Sequence, residues 1–141
     1  MKLAKFIPII FILLLTSCEK DNNHPVPFVL TNEYININLP SYSNLQSVGG
    51  WAYISGGNKG IFVYRQSLDV FMAYDRMSPS IDGANCEPIY YDEVNGIKLI
   101  DDCTNSEFSA IDGAKLSGNA AYPLRGYLTS FDGVNTLHVY N

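Results

Sequence analysis

Short stretches of alternating apolar and polar residues recur along the chain, and glycine-rich or proline-containing turns separate them. An alternation with a period of two is typical of strands that are buried on one face. The pattern predicts strands at 34–39, 51–54, 61–65, 70–74, 108–111, 123–130 and 136–140. No helix-period run of useful length follows Cys18. The sequence therefore predicts an all-β domain of short antiparallel strands.

Three Asp-Gly dipeptides, at Asp82, Asp112 and Asp132, fall between predicted strands. Asp-Gly favours hairpin turns because glycine tolerates a positive φ. Their spacings of 30 and 20 residues exclude a regular repeat. Calcium loops are the alternative interpretation of the same acidic turns. We expect hairpin turns at these positions.

The first 18 residues have a different pattern. Lys2 and Lys5 precede a ten-residue apolar run, Phe6 to Leu15, and Leu15-Thr16-Ser17-Cys18 follows. Such a segment is typical of a secretory signal and is too short to span a bilayer as a stable helix. Small residues directly before a cysteine resemble the lipobox of bacterial lipoproteins. The resemblance implies cleavage before Cys18 and acylation of its thiol. An ordinary signal peptide with an unrelated cysteine is the alternative.

The segment 19–27 is polar and contains two prolines. It predicts a flexible tether that reaches on the order of 30 Å when extended. Nothing in the sequence indicates a partner that would hold His24, so we expect no metal or catalytic role for it. The predicted organisation is a signal at 1–18, a tether at 19–27 and one β domain at 28–141. The lipid would place the domain in the bacterial cell envelope, either in the periplasm or on the outer-membrane surface.

The net charge limits the possible partners. Without Lys2 and Lys5, 7 of the 9 Lys+Arg remain against 14 Asp+Glu, a net charge of −7. No basic cluster is present, and both nucleic acids and anionic lipid surfaces need one. The expected membrane contact is therefore the lipid anchor, no nucleic-acid partner is expected, and a protein or glycan partner is left open.

Two segments that flank the internal cysteines carry the main resemblance to a known family. They are Asp75-Arg76-Met77-Ser78-Pro79-Ser80 and Asp101-Asp102-Cys103-Thr104-Asn105-Ser106-Glu107-Phe108. They resemble the two cluster loops of Rieske-type [2Fe–2S] proteins, Asp-Arg-x-Cys-Pro-His and Cys-Pro-x-His-Gly-Ser-x-Phe. A later segment, Tyr122-Pro123-Leu124-Arg125-Gly126-Tyr127, resembles the Pro-Leu-x-x-Tyr segment of that family. The resemblance, over 45–141, implies a Rieske-like antiparallel β-sandwich with a small two-loop subdomain at its tip.

The resemblance also implies where the cluster ligands would lie. Pro79 aligns the first loop, so the ligand cysteine falls on Ser78 and the ligand histidine on Ser80. Ser106 and Phe108 align the second loop, so these ligands fall on Asp101 and Thr104. A competing register places Cys103 at the ligand cysteine and Ser106 at the histidine. In either register the donors that a Rieske cluster needs, two thiolates and two imidazoles, are largely absent.

The remaining cysteines form an even pair. If Cys18 carries lipid, Cys86 and Cys103 are left in an exported protein, and such a pair is typical of a disulfide. The Rieske resemblance implies the same bridge, because many members have a second cysteine in each loop. A redox-active or metal-binding thiol pair is the alternative.

Three functions are compatible with this pattern. The first is a non-redox binding or structural module that has lost the cluster ligands, with no cofactor and no expected enzyme activity. The second is a Rieske-type electron-transfer protein or oxidoreductase subunit with atypical ligands. The third uses Ser78, Ser80, Asp101, Asp102 and Thr104 as oxygen donors to a hard cation such as Ca²⁺. Loop aromatics, Tyr42, Tyr90 and Tyr91, are candidate contacts for a protein or glycan partner.

Overall fold

The computed structural model describes residues 23–141. Ten strands follow one another along this part of the chain. They are β1 (Asn32–Asn36), β2 (Trp51–Ile54), β3 (Ile61–Arg65), β4 (Phe71–Asp75), β5 (Tyr90–Tyr91), β6 (Lys98–Asp101), β7 (Ser106–Ser109), β8 (Lys115–Ser117), β9 (Gly126–Phe131) and β10 (Thr136–Tyr140). Two 3-10 helices, Pro40–Gln46 and Gly83–Asn85, complete the structure. The all-β prediction is confirmed.

The strands form two antiparallel sheets. Six of them form the larger sheet in the order β1-β10-β9-β4-β3-β2, and the other four form the smaller sheet in the order β5-β6-β7-β8. The chain leaves the larger sheet after β4, builds the smaller one, and returns at β9. The smaller sheet is therefore an insertion between two neighbouring strands of the larger sheet.

Strand β3 is buried along its whole length and separates two hydrophobic cores. Ile61 and Val63 point into one core, which also contains residues from β1, β4 and β10. Phe62 and Tyr64 point to the opposite face, where residues of the smaller sheet pack against them. Alternate side chains of a strand face opposite sides, so β3 connects both halves of the domain.

The first predicted strand differs from the observed one. The pattern predicts a strand over 34–39, but β1 ends at Asn36, and Pro40 begins a 3-10 helix that was not predicted. Proline is tolerated in the first turn of a helix because its missing N–H would have no partner there. The helix buries Leu45 completely. Arg65 fixes the end of the helix by donating hydrogen bonds to the carbonyls of Leu45 and Gln46.

Strand boundaries also shift around the two loops. The stretch predicted as 108–111 is observed as β7, Ser106–Ser109, and the strand predicted from residue 123 begins at Gly126. Strands β5, β6 and β8 were not predicted. They are only two to four residues long, and such short runs give little alternation to detect.

The predicted tether is shorter than expected because residues 24–27 pack on the domain. Val26 is fully buried, and Arg125 Nε donates to its carbonyl over 2.8 Å. His24 Nε2 lies 3.0 Å from the Pro123 carbonyl. Asn58 Nδ2 donates to the Pro27 carbonyl. The predicted signal, Cys18 and residues 19–22 lie outside the described residues.

Between residues 23 and 141, no helix is both long and apolar enough to cross a membrane.

Candidate functional site

The first loop, 76–80, leaves β4, and the second loop, 102–105, joins β6 to β7. The disulfide Cys86–Cys103 lies between them, with a Cα–Cα distance of 5.7 Å. The predicted disulfide is confirmed. Cys86 is buried and Cys103 is exposed, so one end of the bridge reaches the surface.

The four positions that the resemblance assigns to cluster ligands lie together. Asp101 is buried, and its Oδ2 accepts hydrogen bonds from Ser78 Oγ over 2.6 Å and from Thr104 Oγ1 over 2.7 Å. Ser80 Oγ lies 3.2 Å from Ser78 Oγ. Because Ser78 has one hydroxyl proton and gives it to Asp101, Ser80 is the donor in this contact. Ser78 and Thr104 therefore bond the Asp101 carboxylate directly, and Ser80 joins it through Ser78.

Ser106, the first residue of β7, extends this network. Its Oγ lies 2.8 Å from Thr104 Oγ1 and accepts the N–H of Ala120 over 2.9 Å. The N–H of Cys103 donates to the other oxygen of Asp101 over 3.1 Å. We call Ser78, Ser80, Asp101, Thr104 and Ser106 the hydroxyl cluster. A buried carboxylate is costly unless donors surround it, and here three donors satisfy Asp101.

The donor atoms of the hydroxyl cluster do not fit a [2Fe–2S] centre. Such a centre needs thiolate or imidazole ligands, and hydroxyls with one carboxylate are hard oxygen donors. The sulfurs of Cys86 and Cys103 are bonded to each other. Of the two histidines, His24 contacts Pro123 and His138 contacts Asn32. No group of three His, Cys, Asp or Glu side chains suited to a metal occurs among residues 23–141.

A second buried carboxylate, Asp75, holds the start of the first loop. Its Oδ2 accepts hydrogen bonds from Asn58 N–H over 2.8 Å, from Asn58 Nδ2 over 2.9 Å and from Tyr127 OH over 2.7 Å. Its Oδ1 accepts the N–H of Met77 over 2.9 Å. Burial and the hydrogen bond with Asp75 raise the pKa of the Tyr127 phenol. This network ties the first loop to β9 and to the β2–β3 turn.

Gly57 is essential to that network. Its φ is +60°, and a Cβ on it would lie 2.6 Å from both Asp75 Oδ2 and Tyr127 OH. The role of Asp75 and Tyr127 was not predicted. A turn glycine, an aspartate and a tyrosine 52 residues beyond it share no local pattern, so the sequence carries no signal that links them.

Arg76 connects the first loop to β2 and to the residue that precedes β5. Its guanidinium carbon lies 3.7 Å from the centre of the Tyr53 ring, and its Nε donates to the Ile89 carbonyl over 2.8 Å. Burial lowers the pKa of Arg76, and the interaction with Tyr53 opposes this shift. Nearby, Lys59 Nζ donates to the Cys86 carbonyl. These contacts position the loop and the disulfide.

A cleft of about 660 Å³ opens beside the hydroxyl cluster. We call it the tip cleft. Ser80 and Thr104 line it together with Cys103, so the hydroxyl cluster and the disulfide both border it. The other lining residues are Asn23, Pro25, Pro79, Ile81, Asp82, Asn119, Ala120, Ala121 and Tyr122. Hydroxyl and amide groups in an apolar surround are typical of a site for a small or extended neutral ligand.

The aromatic residues that were candidates for partner contact are mostly packed. Tyr91 stacks on Phe62, with ring centres 5.4 Å apart, and Tyr42 packs against the larger core. Tyr90 is 42% exposed, and its hydroxyl donates to Asp102. Only Tyr90 of the three presents much of its surface, and it lies away from the tip cleft lining.

The Asp-Gly dipeptides have two kinds of role. Asp132 lies in the β9–β10 turn and Asp112 in the β7–β8 turn, and each carboxylate accepts backbone N–H groups. These hydrogen bonds lower the pKa of both aspartates. The hairpin-turn expectation is confirmed there. It is wrong at Asp82, which instead precedes the 3-10 helix Gly83–Asn85.

No protein-family model matches the sequence, and no curated protein matches it. The resemblance to Rieske-type proteins therefore rests on the loop residues and on the segment around Pro123.

Proposed function

We propose that this protein is a lipid-anchored, extracytoplasmic binding module with a Rieske-like fold that has lost its cluster ligands. The domain binds a partner or ligand through the tip cleft and carries no iron. Attachment to the membrane is through an acylated Cys18. The disulfide supports a location outside the cytoplasm, because such bridges persist mainly in oxidising compartments.

The observation that carries this proposal is the hydroxyl cluster. At the positions corresponding to iron ligands, hydroxyl groups donate to a single buried carboxylate, Asp101. Their protons and lone pairs are used in contacts of 2.6–3.2 Å. A set of groups that satisfy one another gains little from a metal ion. The cluster thus replaces the cofactor as the link between the two loops.

The tip cleft supplies the binding surface. Ser80 and Thr104 are half-buried and line the cleft, so part of each side chain faces it. Asn119 adds an exposed amide, and Tyr122 adds an aromatic ring at the edge. These groups suit neutral polar ligands, such as a glycan or an extended peptide, better than ionic ones.

The test is the metal content of the purified protein. We expect the protein, produced in iron-rich medium and again after anaerobic reconstitution, to be colourless and to contain neither iron nor acid-labile sulfide. A protein that is brown and retains both would contradict this proposal and favour the electron-transfer function. A Ca²⁺ titration that raises the melting temperature would instead favour a hard-cation site at the same loops.

The anchor is tested separately. The full chain, expressed in a bacterial host that processes lipoproteins, should carry a diacylglyceryl mass on Cys18 with residues 1–17 removed. Cys18→Ser should be released from the membrane. If the wild-type mature protein begins elsewhere or lacks the lipid mass, the anchored part of the proposal is wrong.

A further inference from the structure

The N-terminal segment lies at the same end of the larger sheet as the two loops. Asn32, at the start of β1, pairs with Tyr140, and Tyr140 pairs with Leu128 near the start of β9. Gly126, at the start of β9, pairs with Tyr74 near the end of β4. These antiparallel registers place the start of β1 and the end of β4 at the same end of the larger sheet. The chain before β1 therefore reaches the domain on the side of the tip cleft.

This segment also forms part of the cleft. Asn23 and Pro25 line it directly. The contacts of His24 with Pro123 and of the Val26 carbonyl with Arg125 hold the segment against the domain. The described chain thus begins at the cleft and not at a distance from it.

The distance from Cys18 to the cleft is short. Cys18 and Asn23 are five positions apart, and an extended chain of that length spans at most about 18 Å. A domain of this size has a diameter of about 35 Å. If the cleft faced away from the membrane, Asn23 would lie about one domain diameter from the bilayer, which a chain of that length cannot span. An acylated Cys18 therefore excludes an orientation with the cleft facing away and keeps the cleft end near the bilayer.

The opening of the cleft carries residue types that are common where proteins contact a membrane surface. Ile81 is 97% exposed, and Pro25, Ala121 and Tyr122 line the same opening. We call these four residues the tip rim. An exposed aliphatic side chain beside a tyrosine is typical of protein segments that lie in the headgroup layer. Asp82 follows Ile81, so the surface favours zwitterionic over anionic lipid.

We infer that the tip rim rests on the lipid bilayer that carries the Cys18 anchor, with the side chain of Ile81 at the boundary of headgroups and acyl chains. This inference rests on the acylation of Cys18 in the proposed function. The anchor confines the domain to the surface, so a small apolar contact is enough to orient it. The tip cleft then takes its ligand at the bilayer surface.

The test compares two exposed aliphatic positions at opposite ends of β4. Ile81 lies at the cleft end, and Leu68, 72% exposed, lies in the β3–β4 turn. Ile81→Cys and Leu68→Cys are each labelled with a nitroxide in the full-length lipidated protein in phosphatidylcholine vesicles. Peptide mapping confirms that Cys86–Cys103 is intact. Collision rates with oxygen and with a water-soluble nickel chelate report the depth of each label.

We expect the oxygen-to-nickel collision ratio at position 81 to rise several-fold over that of the same variant carrying Cys18→Ser in solution. The ratio at position 68 should not change. Equal ratios at both positions, or a water-like label at position 81, would overturn the inference. So would a label at position 81 that is protected only in native membranes, because a membrane protein would then be the occupant.

The mass of Cys18 separates the two possible failures. A lipid-bearing Cys18 with a water-exposed label at position 81 overturns only the rim contact. A Cys18 without lipid overturns the anchor and the contact together.

Discussion

The hydroxyl of Ser78 donates a 2.6 Å hydrogen bond to the carboxylate of Asp101, and both side chains are almost fully buried. The two residues are 23 positions apart; Ser78 lies in the first loop and Asp101 is the last residue of β6. Their contact joins the end of β4 to the end of β6. It forms where the resemblance would place the two cysteine ligands of one iron.

Removing Asp101 should destabilise the domain. Asp101→Ala leaves the hydroxyls of Ser78 and Thr104 without their acceptor, and buried unsatisfied donors cost about 1–3 kcal/mol each. We expect a clear drop in the midpoint of urea unfolding, followed by fluorescence. Asp102→Ala is the matched control, because Asp102 is exposed and should change stability by less than about 0.5 kcal/mol. Equal effects of the two variants would contradict a structural role for the cluster.

Introducing the Rieske cluster ligands tests whether they correspond to the positions that the resemblance assigns to them. The variant that combines Ser78→Cys, Ser80→His, Asp101→Cys and Thr104→His supplies two thiols and two imidazoles. After anaerobic reconstitution we expect it to bind iron and sulfide and to show a [2Fe–2S] signal by electron paramagnetic resonance. The wild-type protein treated in parallel should show none. A folded quadruple variant that keeps Cys86–Cys103 but binds no iron would show that the assignment of positions is wrong.

Loss of the disulfide should loosen the two loops. Cys86 and Cys103 are 17 positions apart, and closing a loop of that length stabilises a protein by about 3 kcal/mol. The double variant Cys86→Ser with Cys103→Ser should lower the urea midpoint. Hydrogen exchange should accelerate most in the two loops and least in β3, which is buried on both faces. Uniform acceleration across both sheets would contradict a local role for the bridge.

Removing the phenol hydroxyl should lower the free energy of unfolding at Tyr127 but not at Tyr74. Tyr127 donates to Asp75, so Tyr127→Phe should cost about 1–3 kcal/mol. Tyr74 is also buried, but among the described residues its hydroxyl has no hydrogen-bond partner. Tyr74→Phe should therefore leave the free energy of unfolding unchanged or raise it slightly. Chemical denaturation at pH 7 distinguishes the two, and equal losses would contradict the assigned contacts.

The same two phenols predict loss of stability at high pH. Burial raises the pKa of both Tyr74 and Tyr127 above the ordinary value of 10.0. A phenol whose folded pKa is raised leaves the free energy of unfolding unchanged below its unfolded pKa, about 10, and lowers it as the pH rises from there toward the folded pKa. Each phenol should lower the free energy of unfolding by up to about 1.4 kcal/mol per pH unit above pH 10. Melting temperatures between pH 9 and 11.5 test this. In the double variant Tyr74→Phe with Tyr127→Phe, the melting temperature should fall less steeply over the same pH range.

Local patterns in the sequence determined the all-β class, the strands β2 and β3 and the turns at Asp112 and Asp132. Alternation and Asp-Gly turns depend on neighbouring residues, so they can be detected in one chain. The cysteine count also predicted the disulfide correctly. In the smaller sheet only β7 was predicted, and only in part; β5 and β8 have two and three residues, too few to show an alternation.

Tertiary structure alone decided which polar residues meet. The sequence named Ser78, Ser80, Asp101 and Thr104, but only the fold shows that Ser78 and Thr104 donate to the Asp101 carboxylate and that Ser80 contacts Ser78. It also decided that the segment 24–27 is docked, because Val26 is buried by residues that lie far from it in the chain. Burial and hydrogen bonding are set by distant segments, and their energies depend on contacts that one-dimensional spacing does not contain.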